Sequence, residues 1–166
     1  MDHATQAAPA ILVALQDSAL GAAMRQSLYL YPAVEIVHLL AIALLVGSIL
    51  ALDLRLVGWR VVAPTWPLAR HLLPLTATGF AFAVLSGLML FTTEAASLAF
   101  NRAFQIKLAL LLLAGLNALL LHRGAWRDIG QWGAAARPPA RVRVAAAFSA
   151  ALWVGVLSFG RLIAYL

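Results

Sequence analysis

Four apolar stretches dominate the chain, at residues 31–54, 72–92, 103–121 and 144–166. Each is close to the roughly 20 residues that a helix, rising about 1.5 Å per residue, needs to cross a hydrocarbon layer of about 30 Å. None consists of the short segments of alternating polarity that a closed barrel requires, so helices are the expected spanning elements. The expected fold class is all-α: an integral membrane, up-and-down four-helix bundle over residues 31–166. Residues 1–30 read as a polar tail and an N-terminal interfacial amphipathic helix. Over 11–25 the apolar Ile11, Leu12, Leu15, Ala19, Ala22 and Ala23 recur at helical spacing, with Gln16, Asp17 and Arg25 elsewhere.

The boundaries carry their own signals. Tyr29, Tyr31 and Pro32 mark the start of the first span, and Trp59, Trp66, Trp126 and Trp132 belong to the opposite membrane face. Pro64, Pro67, Pro138 and Pro139 punctuate the connections on that second face. Rows of small residues, Gly79/Ala83/Gly87 and Ala147/Ala151/Gly155, are expected to let helix backbones approach closely.

Composition agrees with this pattern. Of 166 residues, 64% are hydrophobic and 11% charged, with a mean hydropathy of +0.93, too apolar for one soluble core. The formal charge of +6 is explained by topology. Eight of the twelve basic residues, Arg55, Arg60, Arg70, Arg123, Arg127, Arg137, Arg141 and Arg143, fall in or beside two connections. By the positive-inside rule these face the cytoplasm, which places both termini outside in a multi-pass protein of a bacterial inner membrane. The lipid bilayer is the expected partner and nucleic acid is not. Residues 1–9 lack a basic n-region, so no cleavable signal is expected. The absence of cysteine excludes disulfides, thiolate metal sites and thioether haem attachment.

The candidate chemistry lies in ionisable residues inside the apolar stretches, where a charge is costly and marks a site by default. Glu35 and His38 share a face of the first span, and Asp53 returns to that face eighteen residues, or five turns, later. Lys107, the chain's lone lysine, lies in the third span and Arg161 in the fourth. Helical rise places Glu35, His38, Lys107 and Arg161, with Met89, within ~10 Å of one level. The bland reading of this group is a Glu35–Lys107 bridge that fixes helix register, with His38 as a hydrogen-bonded passenger. The functional one makes His38 a haem or metal ligand or proton relay and Lys107 an anion or substrate contact. Glu35, Lys107 and Asp53 are the candidate catalytic groups.

A second set lies at the other membrane face. His71 opens the second span and His122 closes the third, offset by only ~4.5 Å if the two helices are antiparallel neighbours. Two such imidazoles would ligate a metal or a b-type haem, with Arg70 and Arg123 on its propionates; the ordinary alternative is boundary histidines beside arginines. His3 reads as a tail residue, Asn117 as an interhelical hydrogen bonder, and Asp53 and Arg55 as a boundary pair or as contacts to backbone groups.

The run from Ser27 through Glu35 and His38 to Gly47, Asp53 and Arg55, with Phe104-Gln-Ile-Lys107 and Gly115-Leu-Asn117-Ala, resembles a family of small bacterial four-span membrane proteins of unknown function. At the level of pattern, a first-span histidine and an aromatic-x-x-Lys opening the third span are similar to HemJ-type protoporphyrinogen oxidases and CopD-type copper-resistance membrane domains. The first likeness implies a haem-ligating role for His38 and a substrate-carboxylate or charge role for Lys107. This chain departs from the HemJ pattern in having Glu35 one turn before the histidine and in lacking a tryptophan-rich span. It has three methionines, fewer than the outward-facing clusters a copper path would use.

The expected function is binding of haem b or a related tetrapyrrole through intramembrane histidines, with His38, His71, His122, Arg70, Arg123 and Arg161 as cofactor contacts. It would serve electron or proton transfer as a membrane oxidoreductase with a redox partner, a quinone-like molecule or a second copy of the chain as partners. The alternatives are a small ion or metal permease subunit with Glu35, His38, Lys107 and Asp53 as its polar path, and a structural partner-binding subunit whose charges set register.

Overall fold

The structure is a computed structural model that describes residues 9–59, 64–129 and 138–165. His3, Arg60, Trp132 and Arg137 lie outside the described residues. Within these limits the chain forms seven α-helices and no strand: α1 (Ala10–Gln16), α2 (Ala19–Gln26), α3 (Leu30–Val57), α4 (Thr65–Phe91), α5 (Ala95–Leu98), α6 (Arg102–Arg123) and α7 (Ala140–Leu162), with a 3₁₀ turn at Ala125–Asp128. The expected all-α four-helix bundle is the observed one.

The four long helices, α3, α4, α6 and α7, have 28, 27, 22 and 23 residues and mean hydropathies of 1.8 to 2.4, long and apolar enough to cross a membrane. Most of their large side chains point outwards: Leu40, Phe82, Leu88, Leu112, Leu116 and Leu120 are each more than half exposed. A water-soluble bundle turns such residues inwards, whereas a bilayer solvates them. The chain is a multi-pass membrane protein.

Helix ends differ from expectation for local reasons. α4 begins at Thr65 and not at 72, because Pro67 falls within its first turn, where its missing N–H has no intrahelical partner to lose. α3 stops at Gly58, which adopts the left-handed conformation (φ 98°) and lets the Gly58 and Trp59 amides bond back to the Arg55 and Leu54 carbonyls.

The expected interfacial helix over 11–25 is two helices. Ser18 caps α2 by accepting from the Gly21 amide at 3.2 Å, and this local bond breaks the run after Gln16. The pair docks on the connection between α4 and α6. Gln16 Oε1 accepts from the Ala96 amide at 3.2 Å, Arg25 Nη1 donates to the Gln16 and Thr93 carbonyls at 2.6 and 3.4 Å, and Met24 is 1% exposed. Ile11 and Leu20 keep the outward apolar face.

Extensive packing joins α3 to α4, α3 to α7 and α6 to α7, each pair antiparallel. The closest approach is at Gly79 on α4: a β-carbon there would lie 2.7 Å from the Leu45 amide nitrogen and 2.9 Å from the Ala41 carbonyl oxygen. Two apolar clusters fill the interior. One, around Leu45, Val46, Ala114, Leu152, Trp153 and Val156, occupies the middle; the other, around Leu52, Leu56, Ala69, Val142 and Ala146, lies towards the arginine-rich end. Of the expected small-residue row on α7, Gly155 meets Leu110 of α6 while Ala147 and Ala151 face outwards.

Candidate functional site

His38 sits two turns into α3, half-buried against α4. Its Nδ1 lies 2.9 Å from Ser86 Oγ, and Ser86 is itself 4% exposed. The Ser86 hydroxyl has one proton and gives it to the Phe82 carbonyl on its own helix. Towards the imidazole it therefore accepts, and Nδ1–H donates. In the neutral ring this leaves Nε2 with its lone pair free, ready to accept a proton or to ligate a metal. The ring has room because position 87 is glycine: a β-carbon there would sit 3.0 Å from His38 Cε1.

Lys107 reaches the same region from α6. Its Cε and Nζ lie along Gly160 of α7, where a β-carbon would be 3.7 and 3.8 Å away. The ammonium is close enough to His38 to act on it electrostatically, as is the Glu35 carboxylate. All four long helices thus contribute: α3 the imidazole, α4 its hydroxyl partner and a glycine, α6 the ammonium, α7 the glycine that seats it. Lys107 forms no hydrogen bond among the described residues. Glu35 is exposed and makes no ion pair with it. Arg25 pairs instead with Asp17, at 3.7 Å, near the N-terminal end of the chain. The register-fixing Glu35–Lys107 bridge is not formed.

Arg161 turns away from the cluster. Its Nη2 donates to the Tyr165 hydroxyl at 2.8 Å and its guanidinium lies 5.1 Å from that ring's centroid. Spacing of four residues accounts for the contact, and the exposed head follows the helix towards its end.

At the arginine-rich end, Asp53 is 5% exposed, with the Ser149 hydroxyl of α7 beside its carboxyl and no hydrogen-bond partner for Oδ2. It makes no ion pair with Arg55, which is also buried; two residues apart on a helix, the side chains diverge by about 200°. Asn117 donates to the Ala145 carbonyl of α7 at 3.0 Å, the interhelical bond expected of it.

His71 and His122 are both exposed. Each turns Nδ1 to the carbonyl four residues back on its own helix, Pro67 at 2.7 Å and Ala118 at 2.9 Å, and His122 stacks on Trp126. Their helices are joined by the α5 connection, where Phe91 and Phe104 stack at 5.4 Å, but α4 packs mainly on α3 and α6 on α7. No ring contact joins the two histidines among the described residues. Along α4, His71 is fifteen residues from Ser86, about 22 Å, so His38 and His71 belong to different levels. Arg70 and Arg123 are exposed beside their histidines.

No family model, curated protein or solved structure matches the chain. The resemblances drawn from its residues therefore rest on those residues alone. Among the described residues no group of three or more histidine, aspartate or glutamate side chains has the spacing of a metal site.

Ser86, Gly87 and Gly160 complete the site and were not among the residues singled out for chemistry. Gly87 carried a signal, its place in a small-residue row, but the row spoke of backbone packing and not of an imidazole. Ser86 had the four-residue offset to Phe82 that lets a mid-helix hydroxyl bond back to its own helix.

Proposed function

We propose that the protein binds a b-type haem or related tetrapyrrole at the outer level of the bundle and serves electron or proton transfer in a bacterial inner membrane. The observation that carries this reading is the His38–Ser86 hydrogen bond, which leaves Nε2 free beside the unpaired Lys107 ammonium. A metal-ligating histidine ordinarily donates its other ring N–H to an oxygen, which fixes the tautomer and the ring plane. His38 has that arrangement ready-made. His38 would hold the iron and Lys107 would attract a carboxylate of the macrocycle, while Gly87 leaves room for the imidazole and Gly160 for the lysine side chain. When bound, the group supplies one-electron chemistry at its iron. Glu35, within electrostatic reach of the imidazole, is the group positioned to exchange a proton with the outer surface. His71 lies far from this level, so His38 is the histidine of this chain that would hold the group there.

Expression in haem-replete cells, purification in detergent and visible spectra of the oxidised and dithionite-reduced protein test the reading. A Soret band that shifts on reduction, and again on addition of carbon monoxide, is expected. A colourless, folded protein overturns it; retention of a quinone in that protein would assign the same pair of side chains to a different ligand.

One observation favours a second reading, a small ion or proton permease subunit: the buried Asp53 carboxyl with its unpartnered Oδ2. Intramembrane carboxyls of this kind mark proton relays. That reading predicts ion flux into proteoliposomes that Asp53→Asn abolishes.

A further inference from the structure

At the arginine-rich end, a groove of about 320 Å³ opens on the outward face of the bundle between the last turn of α3 and the first turns of α7, lined by Val57, Ala140, Arg143, Val144 and Ala147. Arg143 is its one charged wall. The Arg143 Nε donates to the Val57 carbonyl at 3.3 Å. That carbonyl belongs to the last turn of α3 and has no partner within its own helix. The bond fixes the guanidinium at the mouth of the groove, and its two terminal nitrogens make no hydrogen bond among the described residues. A planar pair of N–H donors held in this way matches two oxygens of a phosphate.

The other walls are aliphatic. Val144 is 69% exposed, and Ala147 one turn further on is exposed as well, so an apolar trough leads from the guanidinium along α7 into the membrane-spanning part of the helix. The charge stands where α7 enters its span and the trough runs inwards from it. A free anion would use the first part only, and a neutral lipid the second only.

We propose that this groove binds an anionic phospholipid, its phosphate on Arg143 and one acyl chain along Val57, Val144 and Ala147. The site is separate from the His38 cluster and does not depend on what that cluster binds.

Native mass spectrometry of the full chain in detergent, titrated with phosphatidylglycerol, phosphatidylcholine or inorganic phosphate, tests this. Phosphatidylglycerol is expected to bind more tightly than phosphatidylcholine. Arg143→Gln should weaken phosphatidylglycerol about fivefold, the effect of one basic side chain at a membrane surface. Ala147→Phe, which fills the trough and leaves the guanidinium alone, should weaken it by a similar factor, and Arg127→Gln, an arginine at the same end, should leave it unchanged. Equal binding of the two lipids, equal loss with Arg127→Gln and Arg143→Gln, or no effect of Ala147→Phe would each overturn the proposal. Displacement of the lipid by inorganic phosphate would do so too, by making the groove a free-anion site.

Discussion

His38 Nδ1 donates to Ser86 Oγ across the α3–α4 interface at 2.9 Å, and the Ser86 proton is already committed to the Phe82 carbonyl. One hydroxyl thus sets the tautomer, the plane and the free nitrogen of the one histidine among the described residues that lies well inside a span. If this relationship organises the site, its removal should alter ligand binding more than folding. Ser86→Ala is expected to weaken haem retention by about 10- to 100-fold, the usual effect of losing a partner behind a metal ligand. Ser86→Thr keeps the hydroxyl and should restore much of it. Haem content after gel filtration, read against helicity by circular dichroism, checks the prediction.

Gly79 is the position at which α3 and α4 come closest. Gly79→Ala should destabilise the protein by about 1–3 kcal/mol, since its methyl would meet backbone atoms of Ala41 and Leu45 that cannot rotate away. At Gly47, on the outward face of α3, a methyl group would meet no atom within 4 Å, so Gly47→Ala should leave stability unchanged or slightly raised. Unfolding by titration with a denaturing detergent compares the two directly.

Lys107 and Glu35 are not paired, and their effects on stability should be separable. A double-mutant cycle of Lys107→Met and Glu35→Leu is expected to show a coupling below about 0.5 kcal/mol. Lys107→Met alone should not destabilise the bundle, because it removes an intramembrane charge whose placement costs at least ~2.5 kcal/mol on insertion scales. Tetrapyrrole binding should nevertheless fall. Strong positive coupling in stability would restore the register-fixing bridge that the structure lacks.

Arg25 holds the N-terminal cap to the α4–α6 connection through the Gln16 and Thr93 carbonyls. Arg25→Ala should loosen this cap without unfolding the bundle. Hydrogen exchange localised by mass spectrometry is the direct check: faster exchange in α1, α2 and α5, unchanged in α3 and α7. Uniformly faster exchange would mean that the cap belongs to the same cooperative unit as the spans.

Legibility in the sequence followed the range of the forces involved. The four spans are readable because twenty apolar residues in succession have one physical solution in a bilayer, and only their ends shifted. The break between α1 and α2 came from a single hydroxyl, Ser18, within an otherwise continuous apolar pattern. The level of His38 and Lys107 could be counted from helical rise, and both do reach one region. Facing direction could not be counted. Counting gives His71 and His122 similar depths, yet their helices pack mainly on different partners, and depth carries no information about rotation about a helix axis. Arg161 was placed at the right level too, but Tyr165, four residues on, takes its guanidinium. Ser86 and the two glycines escaped notice because a small residue in a span reads first as packing.

Whether His38 is the organising ligand is decided by comparing visible spectra of the haem-reconstituted protein with those of His38→Ala, His71→Ala and His122→Ala. The Soret band should disappear with His38→Ala and persist in the other two variants. A band that survives His38→Ala and is lost with His71→Ala or His122→Ala would contradict that role for His38 and move the site to the arginine-rich end of the bundle.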